Sequence, residues 1–393
     1  MNELDLQPIE LYIHIPFCIR KCNYCDFHSF VSSDETKVAY IRALCNEIEY
    51  KGMEYKNRKV TSIYIGGGTP SLIETRFIVE IMDTVRNTFT IEENAEITIE
   101  CNPGTVTLEG LSVYKALGIN RLSFGLQSSN DDELKLLGRI HDYKSYIMSL
   151  DFALRLDFTN ISTDIMYGLP NQDIKTLRRT LSDVAKFNLK HISVYSLIIE
   201  ENTPFFDAYH DDYITQCKGG VTSFLPDENA LLEMTDFVNA YLNNRGYTQY
   251  EISNYSKKGY RCRHNIGYWK RQEYLGFGIG AASLINETRY KNISNIDRYI
   301  GNYSKKFPDS EYDEIETLTA DESMAEFMLL GLRMTEGVRS SDFYNIYNRS
   351  ITDVYNDEIL SLISDGLLVN DGNIYKPTRK GLELQNIISE RFI

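Results

Sequence analysis

The chain has 393 residues, of which 42% are hydrophobic and 25% charged. This composition excludes a disordered polymer and leaves room for two or three domains of ~100–200 residues each. Its 41 Lys and Arg against 56 Asp and Glu give a formal charge of −15, which excludes a uniformly basic nucleic-acid binder.

The seven cysteines are an odd number, which speaks against a disulfide scaffold. Cys18, Cys22 and Cys25 stand together, while Cys45, Cys101, Cys217 and Cys262 are scattered. No run reaches the ~18 apolar residues that a membrane span needs. The first residues are acidic, where a secretory signal is basic. The expected location is the cytosol, where thiols stay reduced and a cluster of them points to metal or redox chemistry.

Short β-branched runs alternate with helical patterns through the first half. Strands are expected at Leu11–Ile15, Val60–Ile65, Glu96–Cys101, Arg121–Gln127, Asn160–Tyr167 and His191–Leu197. Helical spacing follows each of the first five, with Ser33 as an N-cap and Gly52 and Gly118 as stops. Six such alternations predict a parallel sheet with crossover helices. The unusual residues all fall just after strands, and a barrel brings every C-terminal strand end to one face. The pattern therefore favours a partial TIM-type (β/α)6 barrel in the α/β class.

Beyond the barrel, Glu228–Asn243 reads as a helix and 247–285 as β structure, followed by a polar, linker-like stretch to Glu316. From about Ala320 come three helical patterns, a hairpin over Leu367–Tyr375 with Asp371-Gly372 as its turn, and a last helix capped by Thr378. Helices with a β-wing suggest a winged-helix-like α+β module. The expected divisions are 1–240 for the barrel, 241–310 for a β-rich extension and 311–393 for the tail. From Glu311 onward there are 7 Lys/Arg and 16 Asp/Glu, a balance of 7 − 16 = −9. Phosphate binding needs the opposite sign, so the tail is expected to contact protein.

The cysteine spacing is Cys18-x3-Cys22-x2-Cys25, in a loop after the first strand. Three thiolates there can hold three irons of a four-iron cluster and leave the fourth open. Zinc is the alternative, with His28 or Cys45 completing the site, although structural zinc usually takes a second Cys or His pair.

With Tyr12-Ile-His-Ile-Pro-Phe before it, this spacing resembles the signature of radical S-adenosylmethionine (SAM) proteins. Gly66-Gly-Gly-Thr-Pro-Ser71, Glu100-Cys-Asn-Pro-Gly104, Arg121-Leu-Ser-Phe-Gly-Leu-Gln127, Leu137-Gly-Arg-Ile-His141 and Asp164-Ile-Met-Tyr-Gly-Leu-Pro170 agree. The resemblance, from about Tyr12 to Glu383, is to the branch of oxygen-independent coproporphyrinogen III oxidases and haem chaperones. It implies a [4Fe-4S] cluster on Cys18, Cys22 and Cys25, with S-adenosylmethionine on the open iron. Gly67, Gly68 and Thr69 would line the cofactor, where glycine lets backbone approach closely. Glu100 and Asp164 match the family's cofactor-binding acids, Gln127 its amide contact and Arg139 a carboxylate partner. Tyr12, Tyr24 and Ile198 match positions around the nucleoside. No side chain is assigned a catalytic role.

Within the branch, the oxidases resemble Cys-x3-Cys-x2-Cys-x-Cys, whereas Phe27 stands here at the last position. His264-Asn-Ile-Gly-Tyr-Trp269 matches a motif that marks haem binding in the chaperone group, involving His264, Asn265, Tyr268 and Trp269. An imidazole is a sound axial ligand for haem iron, Cys262 is an alternative thiolate, and Trp269 can stack on a porphyrin. The resemblance implies a haem chaperone. Its expected partners are haem, membrane-bound haem-acceptor proteins, an electron donor and a second copy of the chain. Decarboxylation of coproporphyrinogen III, or radical chemistry on another substrate, are the alternatives. The tail is implied to cover the barrel mouth, turning Phe327–Arg333 toward the site.

Overall fold

The computed structural model describes residues 7–305, 308 and 312–393. The expected strands appear as β1 (Ile9–Ile15), β2 (Lys59–Gly67), β3 (Thr90–Cys101), β4 (Arg121–Gln127), β5 (Asn160–Tyr167) and β6 (His191–Ser196). They pair in that order, all parallel. In β1 the period of two divides the strand. Ile9, Leu11, Ile13 and Ile15 join the apolar core with Ile41, Leu44 and Ile48 of the first helix, while Glu10, Tyr12 and His14 carry the polar atoms.

The crossover helices form for local reasons. Ser33 accepts from the Thr36 amide and starts the helix Asp34–Tyr55. Asp173 and Thr176 make a reciprocal capping box for the helix Ile174–Ala185. Its Leu177, Leu181 and Val184 recur at helical spacing and are buried. Each such side chain contributes roughly 1.5–3 kcal/mol when fully buried.

The six strands are the middle of a larger sheet. β7 (Thr248–Gln249) and β8 (Asn254–Ser256) add antiparallel beyond β6. β9 (Tyr274–Phe277) lies parallel to β1, and β10 (Ala282–Ile285), β11 (Thr288–Asn292) and β12 (Tyr312–Thr317) follow antiparallel. The sheet runs β12-β11-β10-β9-β1-β2-β3-β4-β5-β6-β8-β7, with β7 and β12 at its edges. The described strands between residues 241 and 305 thus join both flanks of the barrel sheet.

The linker expected up to Glu316 is also corrected, because it holds β11, the helix Ile296–Tyr303 and β12. Residues 306, 307 and 309–311 of it lie outside the described residues. Its polarity hid buried partners. Asn292 donates to Glu47 and to the Gly276 and Gly278 carbonyls, and Tyr299 donates to Glu47, itself bridged to Lys51 at 2.7 Å. Polar groups are buried here because each finds a partner.

The C-terminal module has its own apolar core, including Met328, Phe343 and Leu362. Its three-stranded sheet is ordered β13 (Val338–Arg339), β15 (Ile374–Pro377), β14 (Leu368–Asp371). Asp371 still pairs with Ile374, so the turn is Gly372-Asn373, one residue later than expected. Gly372 has φ +70°, a conformation that favours glycine.

Candidate functional site

The C-terminal ends of β1–β6 surround a pocket of about 330 Å3. The loop after β1 brings Cys18, Cys22 and Cys25 to its rim, all partly exposed. This loop is clamped from several sides. Phe30 and Pro16 close its base, and Asn23 binds the Leu136 and Leu137 carbonyls. His14 Nε2 lies 2.8 Å from the His28 carbonyl, and His28 Nε2 lies 2.8 Å from that of Ser294.

Glycine is required where this loop meets β2. A Cβ on Gly68 would sit 2.9 Å from the Phe17 carbonyl and 3.0 Å from Cys18 Sγ. At Gly67, with φ +116°, a Cβ would strike the His14 ring.

The acids stand opposite. Glu100 accepts from the Tyr64 hydroxyl at 2.9 Å and the Gly67 amide at 3.1 Å. Burial nevertheless pushes its pKa up to about 7. Asp164 accepts from Ser123, and burial raises it to about 6 against the pull of Arg121. Gln127 adopts φ 72° at the end of β4 and accepts from the Tyr195 hydroxyl. A left-handed non-glycine residue at a strand end stores strain of a kind found at binding sites.

Arg139 donates to Asn102 Oδ1 and the Gly125 carbonyl, with Nη1 3.6 Å from Cys22 Sγ. Its Nε is buried with no partner among the described residues. Thr69 accepts from Asn102 and lies 3.7 Å from Cys18 Sγ. These features fit an iron–sulfur cluster with a small zwitterion beside it: three thiols on one loop, a glycine cradle, a free guanidinium N–H and two acids. Among the described residues no three His, Cys, Asp or Glu side chains converge on a single-ion centre. A four-iron cluster needs no such convergence, since each thiolate takes its own iron.

Of the residues read from the sequence, the cysteines, Tyr24, Gly67, Gly68, Thr69, Glu100, Gln127, Arg139, Asp164 and Ile198 line this one pocket. Tyr12 does not. It stacks on Tyr64, bonds His14 Nδ1 at 2.9 Å and lines a different cavity. Arg20, Ser123, Met166 and Glu200 also line the pocket and were missed. Ser123 was findable by stepping back in twos from Gln127 along β4.

The haem-motif residues lie elsewhere, on a helix, Arg263–Trp269, at the N-terminal ends of the strands. Glu96 accepts from the Arg263 and His264 amides. His264 is 1% exposed. Its Nδ1 is 2.8 Å from Ser62 Oγ and its Nε2 3.0 Å from the Tyr268 hydroxyl. Burial lowers its pKa to about 3, so the ring is neutral. Glu10 approaches to 3.7 Å but is raised to about 8 by burial, so the contact is not an ion pair at neutral pH. A Cβ on Gly267 would fall 2.2 Å from the Glu10 carboxylate.

Neither candidate axial ligand is open in this structure. Both His264 nitrogens are engaged, and the Cys262 thiol is buried against Glu96. Asn265 is partly buried. Tyr268 and Trp269 line a second cavity of about 360 Å3, shared with Tyr12, Tyr274 and Leu330. The tail placement is corrected too. No residue of Phe327–Arg333 lines the strand-end pocket. Phe327 and Leu329 pack in the module's own core, and Arg333 lies 4.5 Å over the Trp269 ring.

A parallel arc with a three-cysteine loop and acids at its strand ends defines a radical SAM barrel. The model described as the Radical SAM superfamily matches residues 12–184, and that of the HemN C-terminal domain matches 318–384. Heme chaperone HemW of Bacillus subtilis (strain 168) is 34% identical over 384 residues, 97% of this chain and 98% of that protein. Heme chaperone HemW of Escherichia coli (strain K12) is 32% identical over 393 residues, 99% of each. The solved structure of coproporphyrinogen III oxidase (HemN) from Escherichia coli superposes with a TM-score of 0.83 at 24% identity, over 100% of this chain and 91% of that one. At that identity the likeness speaks for the fold alone. The chain belongs to the HemW family.

Proposed function

We propose that this chain is a haem chaperone that binds a [4Fe-4S] cluster, S-adenosylmethionine and haem, and hands haem to haem proteins. The observation that carries the cofactor part is the single pocket shared by Cys18, Cys22, Cys25, Glu100, Gln127, Arg139 and Asp164. The full-length relatives named as haem chaperones support the haem part.

When bound, the cluster would supply one electron to the sulfonium of S-adenosylmethionine. The protein's own residues bind and orient. Arg139 offers its unpaired Nε–H to a carboxylate. Glu100 and Asp164 attract a cation once ionised, and Gln127 and Thr69 supply neutral polar contacts. Tyr24 and Ile198 form apolar rim against water. Phe27 is 62% exposed beside the loop, so it adds an apolar surface where the oxidases have a thiol.

Anaerobic reconstitution tests the cluster and should give about four irons per chain with a brown colour; zinc alone would overturn it. Haem added to that protein should produce a Soret band, and its absence would overturn the chaperone reading. Decarboxylation of coproporphyrinogen III above background, with S-adenosylmethionine and reductant, would favour an oxidase instead.

A further inference from the structure

We propose that Arg121 is a positioning residue for the cofactor pocket: from inside the barrel it holds Asp164 ready, as an anion, for a cationic ligand. The proposal rests on the S-adenosylmethionine reading above and adds a residue that does not itself line the pocket.

Strands β1–β6 contain two Lys or Arg residues, Lys59 and Arg121. Lys59 is exposed, whereas Arg121 is only 2% exposed. A buried guanidinium is costly unless it is paired. Among the described residues no carboxylate comes within ion-pair distance of it. Its Nη2 is 3.5 Å from His191 Nδ1, and its Nε is buried with no partner among the described residues. Burial, with Arg121 beside it, keeps His191 neutral, so this contact does not balance the charge.

The register sets that charge below Asp164. Along β4, Arg121, Ser123 and Gly125 share one face, and they pair with Asn160, Ser162 and Asp164 of β5. His191, which Nη2 meets, lies 2.8 Å from Ser162 Oγ, and Asp164 is the next inward residue above Ser162. Gly125, level with Asp164, adds no side chain to the column. Ser123 completes it by donating to Asp164 Oδ1 at 3.4 Å.

The other groups around Arg121 leave its charge to Asp164. Below it, Glu96 is occupied by the Arg263 and His264 amides and the Cys262 thiol. Burial holds the Cys262 thiol and the Tyr64 and Tyr250 hydroxyls protonated. Above it, Glu100 already accepts from Tyr64 and Gly67. On the pocket side Asp164 faces Arg139, which is tied to Asn102 and the Gly125 carbonyl. Burial raises Asp164 to about 6, and Arg121 is the largest pull against that rise.

S-adenosylmethionine is titrated calorimetrically into the full-length, cluster-reconstituted protein from pH 5.5 to 8. Arg121→Gln and Arg121→Met remove the charge with and without a donor for His191, and unchanged cluster iron shows that they fold. Asp164 should then ionise about one pH unit higher. Affinity should therefore fall about threefold at pH 6.5 and return to the parental value by pH 8. Arg121→Lys should restore the parental profile. In an Asp164→Asn background, Arg121→Gln should change nothing further at pH 6.5. A loss of equal size at every pH, or one that persists beside Asp164→Asn, would make Arg121 merely structural and overturn the proposal. Parental profiles in both charge-removing variants would overturn it too. No binding by the parent at any pH would overturn the S-adenosylmethionine reading itself.

Discussion

The two ends of the barrel use the same kinds of side chain to opposite effect. At the C-terminal strand ends, Glu100, Asp164 and Arg139 keep unused capacity and face a pocket. At the N-terminal ends, Glu96 and His264 spend theirs on one helix and on each other's neighbours. His191 is engaged by Ser162 and Tyr250 in the same way. A buried polar residue signals binding only where its partners leave something over. Satisfied on all sides, it signals a plug.

Substitutions at the two ends should therefore fail differently. Cys22→Ser should lose essentially all cluster iron, while the unfolding free energy of the apo-protein changes by less than about 0.5 kcal/mol. A large stability loss with iron retained would reverse the assignment of the two ends. Gly267→Val drives a side chain into Glu10 and should cost about 3 kcal/mol in urea unfolding. His264→Ala should cost about 2–3 kcal/mol, since the Ser62 and Tyr268 hydroxyls lose their partner.

Acidity gives a finer distinction. Glu100 and Asp164 titrate near about 7 and about 6 and become anionic as pH rises. Affinity for cationic S-adenosylmethionine should therefore rise about tenfold from pH 5.5 to 8 by calorimetry. Glu100→Gln should flatten most of that slope; an unchanged slope would remove Glu100 from the site.

Glu10 at the plugged end has the opposite consequence, for stability. Its folded pKa of about 8 is above its ordinary 4.5, so the folded state holds the extra proton between those values. Its contribution is full below pH 4.5 and is lost as pH rises through 8. Glu10→Gln should therefore gain on the parent as pH rises from 5 to 8 in paired melting curves. A constant difference would mean Glu10 is charged at the bottom of the barrel.

Much of the strand-end site was legible because its residues lie just after runs of period two. Cys18 to Cys25, Gly67, Gly68, Glu100 and Gln127 each stand at the end of a strand or in the loop after it, and Asp164 lies three residues before the end of β5. Parallel pairing then brings them together without any further information. Tyr12 misled because it stands mid-strand, where a single register step decides which cavity its ring meets.

The sequence by itself determined the order of strands and helices, the cysteine loop and the residues at the strand ends, since these follow from local spacing, caps and glycines. Only the tertiary structure decided the fate of the His264 helix. Its neighbours Glu10, Ser62 and Glu96 come from strands far away in the chain. The same His-Asn-x-x-Tyr-Trp pattern would make a helix facing solvent or one sealing a barrel. The partners that neutralise and bury His264 settle which, and they leave Tyr268 and Trp269 as the residues that line a cavity.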